Sequence, residues 1–404
     1  MIKYPLEGIR VIDLAWAWAG AQATSILALL GAEVIKVESL RRIDHTRVFS
    51  LTTGRWFEGY NQSTTFNEVN LNKLGAAINL SKPKGVELVK ELAKISDILL
   101  QNMRPGKVDG MGLGYEALKE VKPDIIMLSS SALGATGPES GYIGYAPSFA
   151  ALSGASHISG YENEPPIRLS GEIDMLSAHS SAFAIMAALI HRQRTGEGQF
   201  IDLSSTEATS VVMGEVFIDY DMNGRIQTRH GNKDAFMAPH NCYRCKGEEK
   251  WISIAVATEE EWVALCQVAK HPEWDTDERF HDSLTRWHNQ AELDRLISDW
   301  TIDYTPTEVM KMLQGVGVAA VPSFSSEDLW NDPHLGERGF WTEVEHPEIG
   351  KKTVLAPAWK LSETPLEIRR PAPLVGEHNQ YVFSELLGLS ESEIKRLEEE
   401  QVIY

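Results

Sequence analysis

The chain has 404 residues, 43% of them hydrophobic and 24% charged, and 57 acidic against 38 basic side chains give a net charge of −19. That length accommodates two domains with sizeable cores. The acidic balance argues against nucleic acid or an anionic membrane as partner, so an anionic ligand would need a local basic site.

No apolar run reaches the roughly 18–20 residues of a membrane span. The N-terminal MIKYPLEGIRVIDL reads as a strand without a signal-peptide core. Cys242, Cys245 and Cys266 make no disulfide framework. A cytoplasmic location is the expectation.

Taken in order, Gly8–Leu14 is a β-branched run, Ala19–Leu30 a helix stopped by Gly31, and Glu33–Glu38 a second strand. This is a βαβ unit whose second strand ends in an acid, as in a Rossmann fold. Its first turn reads Ala15-Trp16-Ala17-Trp18-Ala19-Gly20 rather than G-x-G-x-x-G, which disfavours a dinucleotide site. A helix is expected over Lys84–Ile95, with strands over Asp97–Gln101 and Asp124–Ser130. Arg41, Arg42, Arg47, Lys73 and Arg104 recur just after strand ends, where an open α/β sheet binds its ligand.

Alternation of strand and helix to about residue 205 predicts an α/β fold with a mostly parallel sheet and helices on both faces. Near Arg225 the character changes. The expected division is a large Rossmann-like domain over 1–224, a small α+β domain over 225–325, and a return to the large domain over 326–404. The last helix opens with a capping box, Ser390 with Glu393. Cys242-Tyr243-Arg244-Cys245 is a lone C-x-x-C before a predicted strand, and a four-ligand metal site needs more. H-E-x-x-H, G-x-S-x-G and Walker motifs are all missing, which leaves the common hydrolase and NTPase readings without a foothold.

The organising stretch is Ser170–Ser204. A polar segment ends at Asp174, and Phe183, Met186, Ala187 and Ile190 then mark one helical face. Ile185 and Leu189 make the neighbouring face apolar, so the helix is expected to be buried on most sides. His191, Arg192 and Arg194 suit its C-terminal end. Gly196 and Gly198 stop it, and Gln199–Leu203 reads as a strand. Asp174, at or just before the helix start, is either an N-cap or an ionised carboxylate facing a cleft and able to act as a nucleophile. Sequence physics leaves both open.

The segments PLEGIRVIDL, GAEVIKVES, NLNKLGAAINLSKPKG, NMRPGKVDGMGLGYEAL, ALGATGPESGY, ALIHRQRTGEGQFIDLS, DPHLGERGFW and LVGEHNQYV together resemble the class III CoA-transferases, which include formyl-CoA transferase, carnitine CoA-transferase and, as a relative, α-methylacyl-CoA racemase. The resemblance implies a Rossmann-like domain built from both chain ends, a small central domain, and an interlocked dimer. The family nucleophile is an aspartate seventeen residues before the His of the HR-x-R-T-G segment, and Asp174 stands seventeen before His191. Met175-Leu176-Ser177 departs from the family's usual glycine-containing run, which bears on the acyl pocket.

By this resemblance Asp174 is the nucleophile, with capping as a compatible second role. Coenzyme A passes from a donor acyl-CoA to an acceptor acid through aspartyl anhydrides and an aspartyl-CoA thioester, with no metal or ATP. Backbone N–H groups of the Trp16–Gly20 turn (Trp18, Ala19, Gly20) are the expected oxyanion donors. Several relatives carry glutamine at the position of Trp18, and an aromatic there points to a bulkier or more apolar acid. Gly134–Gly137 and Arg229–Asn232 are expected to border the acyl site. Glu38, Arg47, Lys73, Asn102 and Arg104 are expected beside the CoA nucleotide.

The Trp-Ala-Trp-Ala-Gly turn is similar to that expected in subunits acting on benzylsuccinate. Succinyl-CoA as donor and a substituted succinate as acceptor is therefore the substrate expectation. The alternatives are proton transfer as in the racemase relatives, for which Tyr145 occupies the position of the basic histidine, and a non-catalytic CoA-binding subunit of a two-subunit transferase. The expected assembly is a homodimer or a heteromer with a related subunit.

Overall fold

A computed structural model describes residues 3–404. Arg10–Asp13 (β1), Glu33–Glu38 (β2), Leu74–Ala77 (β3), Ile98–Gln101 (β4), Ile126–Ser131 (β5) and Phe200–Ser204 (β6) form one sheet in the order β3-β2-β1-β4-β5-β6, every pair parallel. Strands covered on both faces read as near-continuous apolar runs, and alternate residues divide between two cores. Val11, Val34, Ile98, Leu100 and Ile126 join one core with helices Ala19–Leu29 (α1) and, later in the chain, Gly171–Thr195. Ile12, Ile35, Leu99 and Met127 join the other with Leu88, Val89 and Leu92 of Pro83–Lys94 (α2). The strand order reverses between β1 and β4, and ligands of open α/β sheets bind beyond the carboxyl ends at such a point.

The C-terminal segment packs into the same core. Val382, Phe383, Leu397 and Ile403 lie with β3, Ile403 bridges Ile78, and the Asn79 N–H donates to the Val402 carbonyl at 2.8 Å. Ser390 caps the helix Glu391–Glu399, its hydroxyl accepting from the Glu393 N–H at 3.3 Å. The chain forms two compact units. The first holds the chain through His157, Ile167–Gln227 and Gly336–Tyr404; the second holds Ile158–Pro166 and Thr228–Leu335.

In the second unit His240–Arg244 (β7), Trp251–Ala255 (β8) and Ala319–Pro322 (β9) form an antiparallel sheet over a core containing Tyr243, Trp262, Phe280, Ile297 and Trp300. Cys242 lies within β7, the buried Cys245 follows that strand's end, and the pair precedes β8 as expected. Three residues apart along extended chain, the two side chains project to opposite faces. Burial pushes the Cys245 thiol up to about 11.

Two more helices matter alongside those named: the short Ala146–Leu152 (α3) and the 25-residue Gly171–Thr195 (α4). The face α4 buries is Ile173, Ser177, Ala178, Ser181, Ala182, Ile185 and Ala188. The expected face is the exposed one: Phe183 is 72% accessible and Ile190 51%. Periodicity identifies an apolar face, but small residues allow the closer approach to α1 and the sheet. By length and composition α4 is also long and apolar enough to cross a membrane, contrary to the expectation of no such run; here it packs by one side onto the sheet. Gly214–Asn223 (α5) buries none of its residues.

The HRQRTGEGQ segment ends α4 and turns the chain tightly into β6. Arg192 reaches Asp97 at 2.8 Å, Gly196 ends α4 at φ +80°, and a Cβ on Gly198 would lie 2.2 Å from the Ile125 carbonyl oxygen. Gly198→Ala is expected to destabilise the protein by roughly 1–3 kcal/mol through overpacking. Calorimetry would register this as a melting temperature lowered by several degrees.

Candidate active site

The site begins where β1 meets α1. Asp13 accepts the Ala15 N–H at 2.9 Å, the Thr24 hydroxyl at 2.7 Å and the Lys73 ammonium at 2.9 Å. Asn102, the first residue beyond β4, accepts the Trp16 N–H at 2.9 Å and donates to the Trp16 carbonyl at 2.8 Å. Asp44 accepts the Ala17 N–H at 3.2 Å, and Ala17 stands at φ +57°. Lys36 donates to the Ala15 carbonyl at 2.9 Å and to Asp44 at 3.2 Å. The N–H groups of Ala15, Trp16 and Ala17 are therefore all occupied.

The next groups are free. Trp18 to Ala21 open α1, and among the described residues their N–H groups have no acceptor. They point out of the helix's positive end, beyond the carboxyl edge of the sheet, an arrangement suited to developing negative charge. Within the turn Trp16 is consumed by Asn102, and the N–H groups of Trp18, Ala19 and Gly20, the expected donors, are left without an acceptor. Gly20 is demanded by close approach, since a Cβ there would lie 2.5 Å from the Ala15 Cβ and 3.1 Å from Asn102 Cγ.

Trp18 also brings in α4. A Cβ on Gly171 would lie 3.1 Å from Trp18 Cη2, so the indole packs against the first residue of that helix. Residues i and i+3 share a helix side, which places Asp174 beside the same contact. The Trp18 Nε1–H is buried without a partner. Asp174 is the fourth residue of α4 rather than its cap; Ser170 holds the cap position. Its half-buried carboxyl has no hydrogen bond or ion pair among the described residues, and burial pushes its pKa up to about 7. The helix end favours the ion, but without a cation nearby desolvation prevails, against the expectation of a permanently ionised group.

The residues expected beside CoA divide sharply. Glu38 and Arg47 form a buried ion pair at 2.6 Å, and Arg47 also binds Asn61 and the Pro373 carbonyl and stacks on Phe66. Lys73 is wholly buried, its three donors taken by Asp13, Asn70 and the Ala21 carbonyl, and burial pulls its pKa down to about 8. Asn102 is committed to Trp16. The sequence read these positions after strand ends as ligand contacts; the acids that meet them make them scaffold. Arg104 alone of the set is exposed. Arg42 is exposed too, 4.8 Å from the Trp16 ring.

Gly134 stands at φ +85° in a loop pinned where the Ala135 N–H donates to Asp202 of β6 at 2.7 Å. Tyr145 caps α3 and is 78% exposed, while Ala146 and Ala150 of α3 pack on Ile173, next to Asp174. Arg229–Asn232 belongs to the second unit, where the Gly231 N–H donates to the Gly160 carbonyl at 2.9 Å. Sequence reasoning missed Asp13, Lys36 and Asp44. The available signal was Lys36 inside the apolar run EVIKVE, because a lysine in a buried strand must be paired. Burial draws its ammonium down, but Asp44, Asp13 and Glu38 more than offset this, so its pKa is raised.

The profile of CoA-transferase family III matches residues 6–379. Human succinyl-CoA:glutarate CoA-transferase is 33% identical over 394 residues, spanning 97% of this chain and 88% of that protein. The succinyl-CoA–L-malate CoA-transferase alpha subunit of Chloroflexus aurantiacus is 33% identical over 404 residues, spanning 99% and 93%. The crystal structure of a CAIB/BAIF family protein from Brucella suis superposes with a TM-score of 0.87 at 28% identity, over 95% of this chain and 100% of that one. The fold and these matches define the class as a CoA-transferase, an enzyme acting on acyl-CoA and carboxylic acids. The chain belongs to CoA-transferase family III.

A carboxylate attacks a thioester only when ionised, so if Asp174 is the attacking group, kcat/KM for the acyl-CoA is expected to rise with pH through an apparent pKa near 7 and level off above it. A profile flat from pH 5 to 9 (roughly the span over which such a group would titrate) would contradict this. The same raised pKa means the folded state holds a proton that the unfolded state releases. Stability is therefore lost as pH rises from the ordinary carboxylate range to about 7. Asp174→Asn is accordingly expected to melt higher than the parent above neutral pH, with the advantage shrinking toward pH ~4, as differential scanning fluorimetry across pH would register.

Proposed function

We propose that the protein transfers coenzyme A from succinyl-CoA to a dicarboxylic acid of the succinate type, with Asp174 as the covalent nucleophile. The observation that carries this reading is one half-buried, unpartnered carboxylate beside the Trp18–Gly171 contact, where α1 offers its free N–H groups. Both relatives described above are named for succinyl-CoA and for a dicarboxylate acceptor, glutarate or L-malate. The Trp18 indole supports an acceptor with a bulky apolar substituent, such as benzylsuccinate.

The Asp174 carboxylate attacks the thioester carbonyl, and the CoA thiolate leaves a succinyl-aspartyl anhydride. The thiolate then attacks the aspartyl carbonyl, expelling succinate and forming an aspartyl-CoA thioester. The acceptor carboxylate displaces the thiolate to give a second anhydride. The thiolate finally attacks the acceptor's acyl carbon, releasing the new acyl-CoA and restoring Asp174. Each tetrahedral step develops an oxyanion that the N–H groups of Trp18, Ala19 and Gly20 are positioned to receive. Water must be kept from both activated intermediates. Arg104 and Arg42, exposed on the loops after β4 and β2, suit the nucleotide phosphates better than the buried Arg47 and Lys73.

The apolar face of α4 and the uncovered α5 support association with a second copy or a related subunit. Incubation with succinyl-CoA followed by hydroxylamine trapping is expected to modify Asp174, as read by peptide mass spectrometry, and Asp174→Ala should remove both adduct and turnover. Exchange of the α-proton with deuterium in the absence of acyl transfer would instead favour the racemase reading.

A further inference from the structure

Asp44 takes no part in the reaction described, yet it is wholly buried beneath the turn that presents the free N–H groups. We propose that Asp44 is a positioning residue: by holding Ala17 it aims the N–H groups of Trp18, Ala19 and Gly20 at the carbonyl carried by Asp174. The inference rests on the covalent reaction proposed above.

Ala17 is the last residue of the turn whose N–H is anchored, and it stands at φ +57°, a region alanine rarely enters and glycine enters freely. A sequence without glycine at that point needs an external restraint, and the Asp44 carboxylate supplies it at 3.2 Å. The restraint is itself fixed. Asp44 Oδ1 accepts the Thr46 N–H at 3.0 Å and its hydroxyl at 2.7 Å, while Oδ2 pairs with Lys36 at 3.2 Å. Lys36 extends the same hold to the Ala15 carbonyl at 2.9 Å, so both ends of the turn are tied to one buried ion pair. Asp13 and Asn102 hold Ala15 and Trp16 independently. Loss of Asp44 would therefore free rotation at Ala17 alone, immediately before the donors.

Removing one partner would strand a buried charge, so the test uses two neutral pairs. Lys36→Met/Asp44→Asn keeps an acceptor for the Ala17 N–H; Lys36→Met/Asp44→Ala does not. The Asn pair is expected to retain most of kcat. The Ala pair is expected to lose kcat by the order of a hundredfold, the penalty of misplacing reacting groups, with KM for succinyl-CoA little changed, and to melt below the Asn pair because the Ala17 and Thr46 donors lose their acceptor. Equal kcat in the two pairs, or a loss confined to KM, would overturn the proposal.

Should the Ala pair fail to fold, Thr46→Val decides. It loosens the carboxylate without stranding charge and is expected to lower kcat roughly fivefold, about one hydrogen bond; an unchanged kcat would count against the idea. The parent protein's Asp174 adduct separates the two levels. If the adduct is absent the proposed reaction fails, and if it is present the clamp alone is under test.

Discussion

The structure depends on a pair of buried charges beneath the five-residue turn between β1 and α1. Lys36 and Asp44 meet at 3.2 Å with no solvent access to either side chain. Such a pair contributes modestly to stability as a whole, but breaking it by removing one partner typically costs about 3–5 kcal/mol. Its value here is geometric. Together with Asp13–Lys73 and the Asn102 amide it occupies three successive N–H groups and leaves the following ones unpaired. A Rossmann turn usually achieves close backbone approach with glycines. This one uses side chains, and the lost freedom is made up by fixed polar partners.

The two faces of the site follow from sheet topology. Reversal of strand order between β1 and β4 puts the ends of both strands at one point, so a residue just past β4 can hold the turn just past β1. The crossover helix α4 starts at the same edge, against Trp18, and ends at the opposite edge, where Arg192, Gly196 and Gly198 seat it on the sheet. The separation of Asp174 from His191 near the other end of α4 is therefore a helix length, about 25 Å for seventeen residues at 1.5 Å each.

Much of the parallel sheet was legible because its strands are apolar runs separated by glycine stops, and EVIKVE coincides with β2. The start of α4 was not legible, because Ser170-Gly171-Glu172 reads as loop and Ser170 makes no side-chain cap bond. The buried side of α4 was hidden for a different reason: alternating Ser and Ala pack more closely than Phe183 and Ile190, and hydropathy alone ranks them the other way. Basic residues after strand ends were visible, but whether an acid already neutralises them depends on contacts such as Glu38–Arg47 and Asp13–Lys73. Asp174 was found by resemblance; its elevated pKa required knowing that it has no partner.

The central claim is that one carboxylate exchanges acyl groups through an anhydride, and isotope tracing tests it most directly. In a single turnover with an acceptor acid carrying heavy oxygen in its carboxylate, anhydride chemistry must leave one labelled oxygen on Asp174 when the new acyl-CoA departs. The account predicts that label in the peptide containing Asp174 and in no other. Turnover that leaves this peptide unlabelled would contradict it.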